Sequence, residues 1–127
     1  MSAGAARFDD ETLRVLADRQ EVDILTRRPD GTQRRTIIWV VVDRGDVFVR
    51  SYKGDRGHWF QAVMDAPDDV ALSFDGREVP VRAEPATDDD SVARCSAGFQ
   101  RKYARSASTP FMLEPKTLGT TLRLVPR

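Results

Sequence analysis

Three cations, a serine hydroxyl and two glycines crowd into one short run, Val49-Arg50-Ser51-Tyr52-Lys53-Gly54-Asp55-Arg56-Gly57-His58-Trp59. The run sits between the end of a β-branched stretch and the start of an aromatic, helix-like one. Glycines let backbone approach a ligand closely. Free N–H groups at a helix start attract an anion, and Arg or Lys supplies matching charge and donors. A phosphate monoester, with a charge of about −1.5 to −2, suits such a pocket. Upstream, Arg34-Arg35-Thr36 adds donors if the fold brings that stretch alongside. Composition leaves a second reading open, a solvated loop whose cations pair with Asp55 or Asp46.

Other candidates carry less chemistry. His58 is the only histidine, so it cannot build a metal site by itself, and at a helix start it caps or faces solvent. Cys95 is the only cysteine; it falls on an apolar helical stripe and reads as core. Asp88-Asp89-Asp90 satisfies the dipole of a helix start without a metal. Gly54-Asp55-Arg56-Gly57 matches the GxxG of KH modules by letters only, without their helical flanks. Trp39 and Trp59 read equally as core or interface anchors and as ring stackers.

These residues need a scaffold. The first seven residues read as a frayed tail. Asp9 caps a helix running to about Gln20, with Phe8 and Leu13 placed as a hydrophobic staple. Val22 to Arg28 forms a strand and Arg28-Pro29-Asp30-Gly31 a turn. Thr36-Ile37-Ile38-Trp39-Val40-Val41-Val42 is an apolar run without polar alternation, a strand covered on both faces. Asp43 to Asp46 turns the chain into a strand from Val47 to Ser51. His58 to Ala66 is a helix stopped by Pro67. Strands at Val70–Phe74 and Glu78–Ala83 follow, the second placed at an edge or bulge by Pro80. Thr87 starts another helix in a box-like arrangement with Asp90, and Thr121–Val125 is the last strand. The pattern is α+β, mainly β: an antiparallel barrel of about six strands with two or three flanking helices, in one domain over residues 1–127.

Composition narrows the function. The 127 residues hold 20 Lys+Arg and 20 Asp+Glu, which gives no net pull toward nucleic acid or a membrane surface. No stretch approaches the ~18 apolar residues of a membrane helix. A single cysteine forms no intramolecular disulfide and suits a reducing compartment, so the expected location is cytoplasmic.

The order of elements resembles a known group. The run from Val47 through Gly76, VFVRSYKGDRGHWFQAVMDAPDDVALSFDG, is similar to the core of the FMN-binding split-barrel superfamily of pyridoxamine phosphate oxidase-like and deazaflavin-dependent reductase-like proteins. The matching positions are Ser51, Lys53, Gly54, Trp59-Phe60, Ala66-Pro67 and Val70 through Gly76. Arg35 through Val41 resembles that group's flavin-lining strand. Lys102-Tyr103 and the terminal TTLRLVP look like a bacterial branch of unknown function. The resemblance implies a split barrel whose homodimer carries cofactor sites at its interface. Ser51, Lys53 and Arg56 would hold the phosphate, with Arg50 and Arg35 as helpers and Gly54 in the loop. The backbone of Thr36, Ile37 and Ile38 would face the ring, flanked by Trp39 or Trp59. FMN is the implied cofactor and the deazaflavin coenzyme the second choice. The implied activity is an oxidoreductase using a nicotinamide nucleotide and a small acceptor. The alternative is a non-catalytic dimeric module that has lost the cofactor or binds another anionic or haem-like ligand.

Overall fold

A computed structural model gives the structure of the protein and describes residues 7–127. The expected tail therefore lies outside the described residues apart from Arg7, which donates to the Arg44 carbonyl at 3.0 Å. Helix α1 (Asp10–Asp18) starts where its chemistry dictates. The Asp9 carboxylate accepts from the Thr12 N–H at 2.8 Å, and acids fill the first turn. No basic residue lies in its last turn. That role passes to a distant cation, Lys102, whose Nζ donates to the Leu16 carbonyl at 2.9 Å.

One antiparallel sheet follows, built from β1 (Val22–Arg27), β2 (Gln33–Ile38), β3 (Val41–Asp43), β4 (Asp46–Val49), β5 (Val70–Phe74), β6 (Arg77–Pro85) and β7 (Leu122–Pro126). Its order is β2-β1-β5-β6-β7-β4-β3. The two outermost strands, β2 and β3, are joined only by Trp39 and Val40. The chain itself thus draws the sheet's two edges together and curls it into a half-barrel. Helices α2 (His58–Asp65) and α3 (Asp89–Lys102) lie against it, and the short α4 (Pro115–Leu118) packs on the turns at Gly54–Arg56 and Thr109–Leu113.

The core occupies both sides of β4. Val47 and Val49 turn inward to meet Leu72, Val81, Leu122 and Leu124, with Leu16 of α1 and Val63 of α2. Phe48, between them, turns outward beneath α3 to meet Val41, Cys95, Phe99 and Tyr103. Each large apolar side chain buried this way contributes about 1.5–3 kcal/mol. Two covered faces explain why this region shows no polar alternation.

Three details differ from the sequence reading. The run from Thr36 to Val42 is two strands, broken at Trp39–Val40, which raises the strand number to seven. It is not covered throughout, because Ile37 is 63% exposed. Asp88, not Thr87, caps α3, accepting from the Ser91 N–H at 3.0 Å. Pro80 lies in a strand with neighbours on both sides, not at an edge. Its carbonyl accepts from the Arg127 N–H, so its missing N–H also faces the β7 side, where that strand has ended. No helix among the described residues is long and apolar enough to cross a membrane.

Candidate functional site

Where β4 ends, two consecutive residues take opposite roles. Arg50 is only 1% exposed. All three of its guanidinium nitrogens donate: to Thr121 Oγ1 at 2.8 Å, to the Met112 carbonyl at 3.0 Å and to the Val92 carbonyl at 2.9 Å. Its charge also lies over the Phe99 ring. Burial pulls its pKa below the usual arginine value, opposed by nearby Cys95. Burial in turn pushes the Cys95 thiol up to about 12, so this cysteine is an inert core residue. Ser51 is as deeply buried, and its N–H donates to Thr120 Oγ1 at 3.0 Å. Its own hydroxyl has no hydrogen-bond partner among the described residues.

The turn beyond Ser51 is built from glycines for definite reasons. Gly54 has φ +68°, and a Cβ there would lie 2.9 Å from the Lys116 carbonyl of α4. Its N–H closes the turn onto the Ser51 carbonyl at 2.9 Å. Gly57 immediately precedes α2, and a Cβ on it would lie 2.3 Å from the Ser51 hydroxyl. The orphan hydroxyl is therefore pressed against the start of α2, whose cap supplies no side-chain hydrogen bond.

A cleft of about 370 Å³ opens here, between β2, the Trp39 corner, the Arg50–Lys53 segment, the start of α2 and the Ser108–Met112 turn. Such a volume lies within the range of small-molecule sites. Of the residues expected at a cofactor site, Thr36, Ile37, Ile38, Arg50, Ser51, Lys53 and Trp59 all line it. Gly54 and Arg56 shape the adjacent turn and do not line the cleft; Arg56 is exposed there. Arg35 is not brought to it. Its Nη1 pairs with Asp23 at 2.5 Å and reaches Ser73 Oγ at 3.3 Å on the other side of β2.

Arg34 takes the place expected of Arg35. Successive side chains of a strand alternate sides, so the pairing of Arg34 with Thr26 sends 34, 36 and 38 one way and 35 the other. Arg34 Nη1 lies 3.1 Å from Nδ1 of His58, and both residues line the cleft. Sequence reasoning had set His58 aside; its partner lies 24 residues away, which no local pattern reveals. Neither Arg34 nor Lys53 has a carboxylate partner among the described residues, and Glu21 is the one acid in the wall. Tyr52, Gly57, Ser108 and Met112 complete the additions to the expected set.

The corner that bounds the cleft is held from behind. Trp39 stacks on Tyr103, ring centroids 4.0 Å apart and planes within 3°. The Tyr103 hydroxyl donates to the Gln20 carbonyl at 2.7 Å and accepts from the Val40 N–H at 3.2 Å. Lys102 Nζ donates to the Val40 carbonyl at 2.7 Å. Burial lowers Lys102 to about 8 and raises Tyr103 to about 12.

Known proteins share this architecture. ChuZ from Campylobacter jejuni superimposes with a TM-score of 0.73 at 8% identity, over 93% of this chain but only 52% of that one, about half its length. A candidate pyridoxamine 5'-phosphate oxidase from Listeria innocua gives 0.66 at 15% identity, covering 93% of this chain and 92% of the other. An F420-H2-dependent reductase gives 0.61 at 17% identity, covering 85% and 95%. At such identities the likeness shows the fold alone, the split barrel. No curated protein matches by sequence. The model of a bacterial family described as "Uncharacterized protein conserved in bacteria (DUF2255)" matches residues 12–124. The chain therefore belongs to that family and is built on a split barrel.

Proposed function

We propose that the cleft binds FMN and that the protein is a homodimeric, cytoplasmic, single-domain oxidoreductase moving reducing equivalents between a nicotinamide nucleotide and a small acceptor. One observation carries this reading. The Ser51 hydroxyl is buried at the cleft wall without a partner among the described residues, and a Cβ on Gly57 beside it would lie 2.3 Å from its oxygen. A buried hydroxyl left unsatisfied costs about 1–3 kcal/mol, which a bound phosphate oxygen offsets. The donor set around it suits a phosphate monoester. Among the described residues neither Lys53 nor Arg34 forms an ion pair with a carboxylate, and α2 begins at the same point.

The remaining wall suits a planar ring. Ile38, Trp39, Trp59 and Met112 are apolar, and β2, as an outer strand, leaves alternate backbone groups free to meet a ring's polar edge. Arg50 adds positive field from behind without touching the ligand. When bound, the flavin supplies the electron transfer; these residues hold its phosphate, orient its ring and keep water away. Around the mouth, Ile37, Tyr52 and Phe111 are 63%, 52% and 45% exposed, and the last two rings meet edge-on at 5.9 Å. A second copy covers this apolar rim and closes the cleft. Titration with FMN followed by flavin fluorescence tests the reading: saturable binding is expected, and none up to about 0.1 mM contradicts it. Light scattering checks the dimer, and a monomer removes that part of the proposal.

A further inference from the structure

We propose that a second cavity, beside the Trp39 corner, binds the diphosphate of the nicotinamide nucleotide. The inference rests on the flavin reading above and names where the second substrate of that reading is held. The cavity measures about 420 Å³ and lies between the end of α3, the turn from α1 to β1 and Trp39. Its wall holds three cations, Arg101, Lys102 and Arg105, against one acid, Glu21.

These cations are not used up by the fold. Arg105 forms no ion pair among the described residues. Arg101 reaches only Asp43, at 3.7 Å, a carboxylate that Arg94 already holds at 2.6 Å. Lys102 donates to the Leu16 and Val40 carbonyls, which fixes its Nζ in place and leaves the third of its N–H groups over. The C-terminal end of α3 presents about half a negative charge, which accounts for a cation in its last turn but not for three around one cavity. Arg105 lies beyond that end, which Tyr103 caps. Even with Glu21 counted, the wall stays positive, and a concave wall of one sign concentrates an anion.

The shape of the region narrows the class of anion. Trp39 and Glu21 line this cavity and the flavin cleft alike, so the two hollows adjoin at one corner. The stack of Trp39 on Tyr103 keeps that partition fixed. A lone phosphate would fill one hollow without reaching the other. A dinucleotide is built to occupy both, with an anionic diphosphate at its middle and a planar ring at its end. Arginine forks match the paired oxygens of phosphate groups.

Titration of NADH, followed by its own fluorescence with and without FMN, tests the site. Saturable binding is expected, displaced by ADP but not by adenosine. Arg101 and Arg105 are both exposed, so they can be replaced together without emptying the core. Arg101→Gln/Arg105→Gln should weaken NADH about tenfold or more while FMN affinity stays within about twofold. Arg82→Gln, which removes an exposed cation from β6, should change neither. No NADH binding up to about 1 mM in either state overturns the inference and leaves FMN binding standing. Adenosine competing as well as ADP, or a double variant no weaker than Arg82→Gln, does the same. A double variant that loses FMN as strongly as NADH assigns these cations to the cleft and also overturns it. NADH binding without any FMN binding supports the cavity and overturns the flavin reading alone.

Discussion

Two clusters of charge sit on this barrel, and they are finished differently. At the β3–β4 hairpin Arg44, Arg94, Arg101 and Arg123 each pair with Asp43 or Asp46. Arg94 donates to Asp43 Oδ2 at 2.6 Å, to the Asp43 carbonyl at 2.8 Å and to Asp46 Oδ2 at 2.8 Å, and its guanidinium lies over Phe48. Arg123 Nη2 donates to Ser91 Oγ at 3.1 Å, while its buried Nε lies 3.6 Å from Asp46 Oδ1 and makes no hydrogen bond among the described residues. The hydrogen bond from Arg94 holds Asp43 below the usual carboxylate range, against the opposing effect of burial. At the cleft, Arg34, Lys53 and the Ser51 hydroxyl have no such partners among the described residues. Groups completed within the chain belong to folding. Groups left incomplete in a concave wall point to something from outside. Arg50 and Ser51, adjacent in sequence, show the same division within two residues.

Substitutions should separate the two classes. The largest loss of stability is expected for Arg50→Met, which strips donors from a threonine hydroxyl and two carbonyls in the interior. Chemical denaturation should show about 3–5 kcal/mol. A loss below about 1 kcal/mol would mean that the buried cation is not a structural hub. Arg94→Met should cost about 2 kcal/mol and leave FMN affinity unchanged; a change in affinity would blur the division between the clusters. Tyr103→Phe keeps the stack on Trp39 but loses the hydroxyl's bonds to Gln20 and Val40, a cost of about 1–2 kcal/mol by thermal unfolding.

Acid should act on the paired cluster. Asp43 has a depressed pKa in the folded state, so its contribution is present above the unfolded value near 4 and is lost as pH falls through the lower folded value. Asp43→Asn should therefore flatten the acid limb of stability below about pH 4. An unchanged limb would show that Arg94 does not hold this carboxylate. The smallest stability effect belongs to the cleft. Lys53→Ala should shift stability by less than about 0.5 kcal/mol while weakening FMN about tenfold.

Much of this was legible in the residues. The hairpins showed in their turn chemistry, α1 in its cap, and the Ser51–Trp59 loop in its glycines and cations. The break at Trp39–Val40 was hidden, because a β-branched run looks alike whether it forms one strand or two; what breaks it is the hold of Lys102 and Tyr103 on Val40, about 60 residues away. That Arg34 and not Arg35 lines the cleft was hidden for a related reason. Which of two adjacent strand residues faces a cleft is fixed by pairing across the sheet, and a shift of one residue exchanges them. Arg50 showed its charge in the sequence but not its burial, since nothing local foretells three acceptors brought from Thr121, just before β7, and from Val92 and Met112.

The claim on which all else rests is that the Ser51 hydroxyl waits for a phosphate. The most direct measurement compares FMN and riboflavin affinities in the wild type and in Ser51→Ala, beside the thermal stability of each protein without ligand. The account predicts that FMN binds the wild type at least about tenfold more tightly than riboflavin. It also predicts that Ser51→Ala removes most of that preference while leaving ligand-free stability equal or slightly higher. A preference that survives the substitution, or a ligand-free protein that loses stability with the hydroxyl, would contradict it.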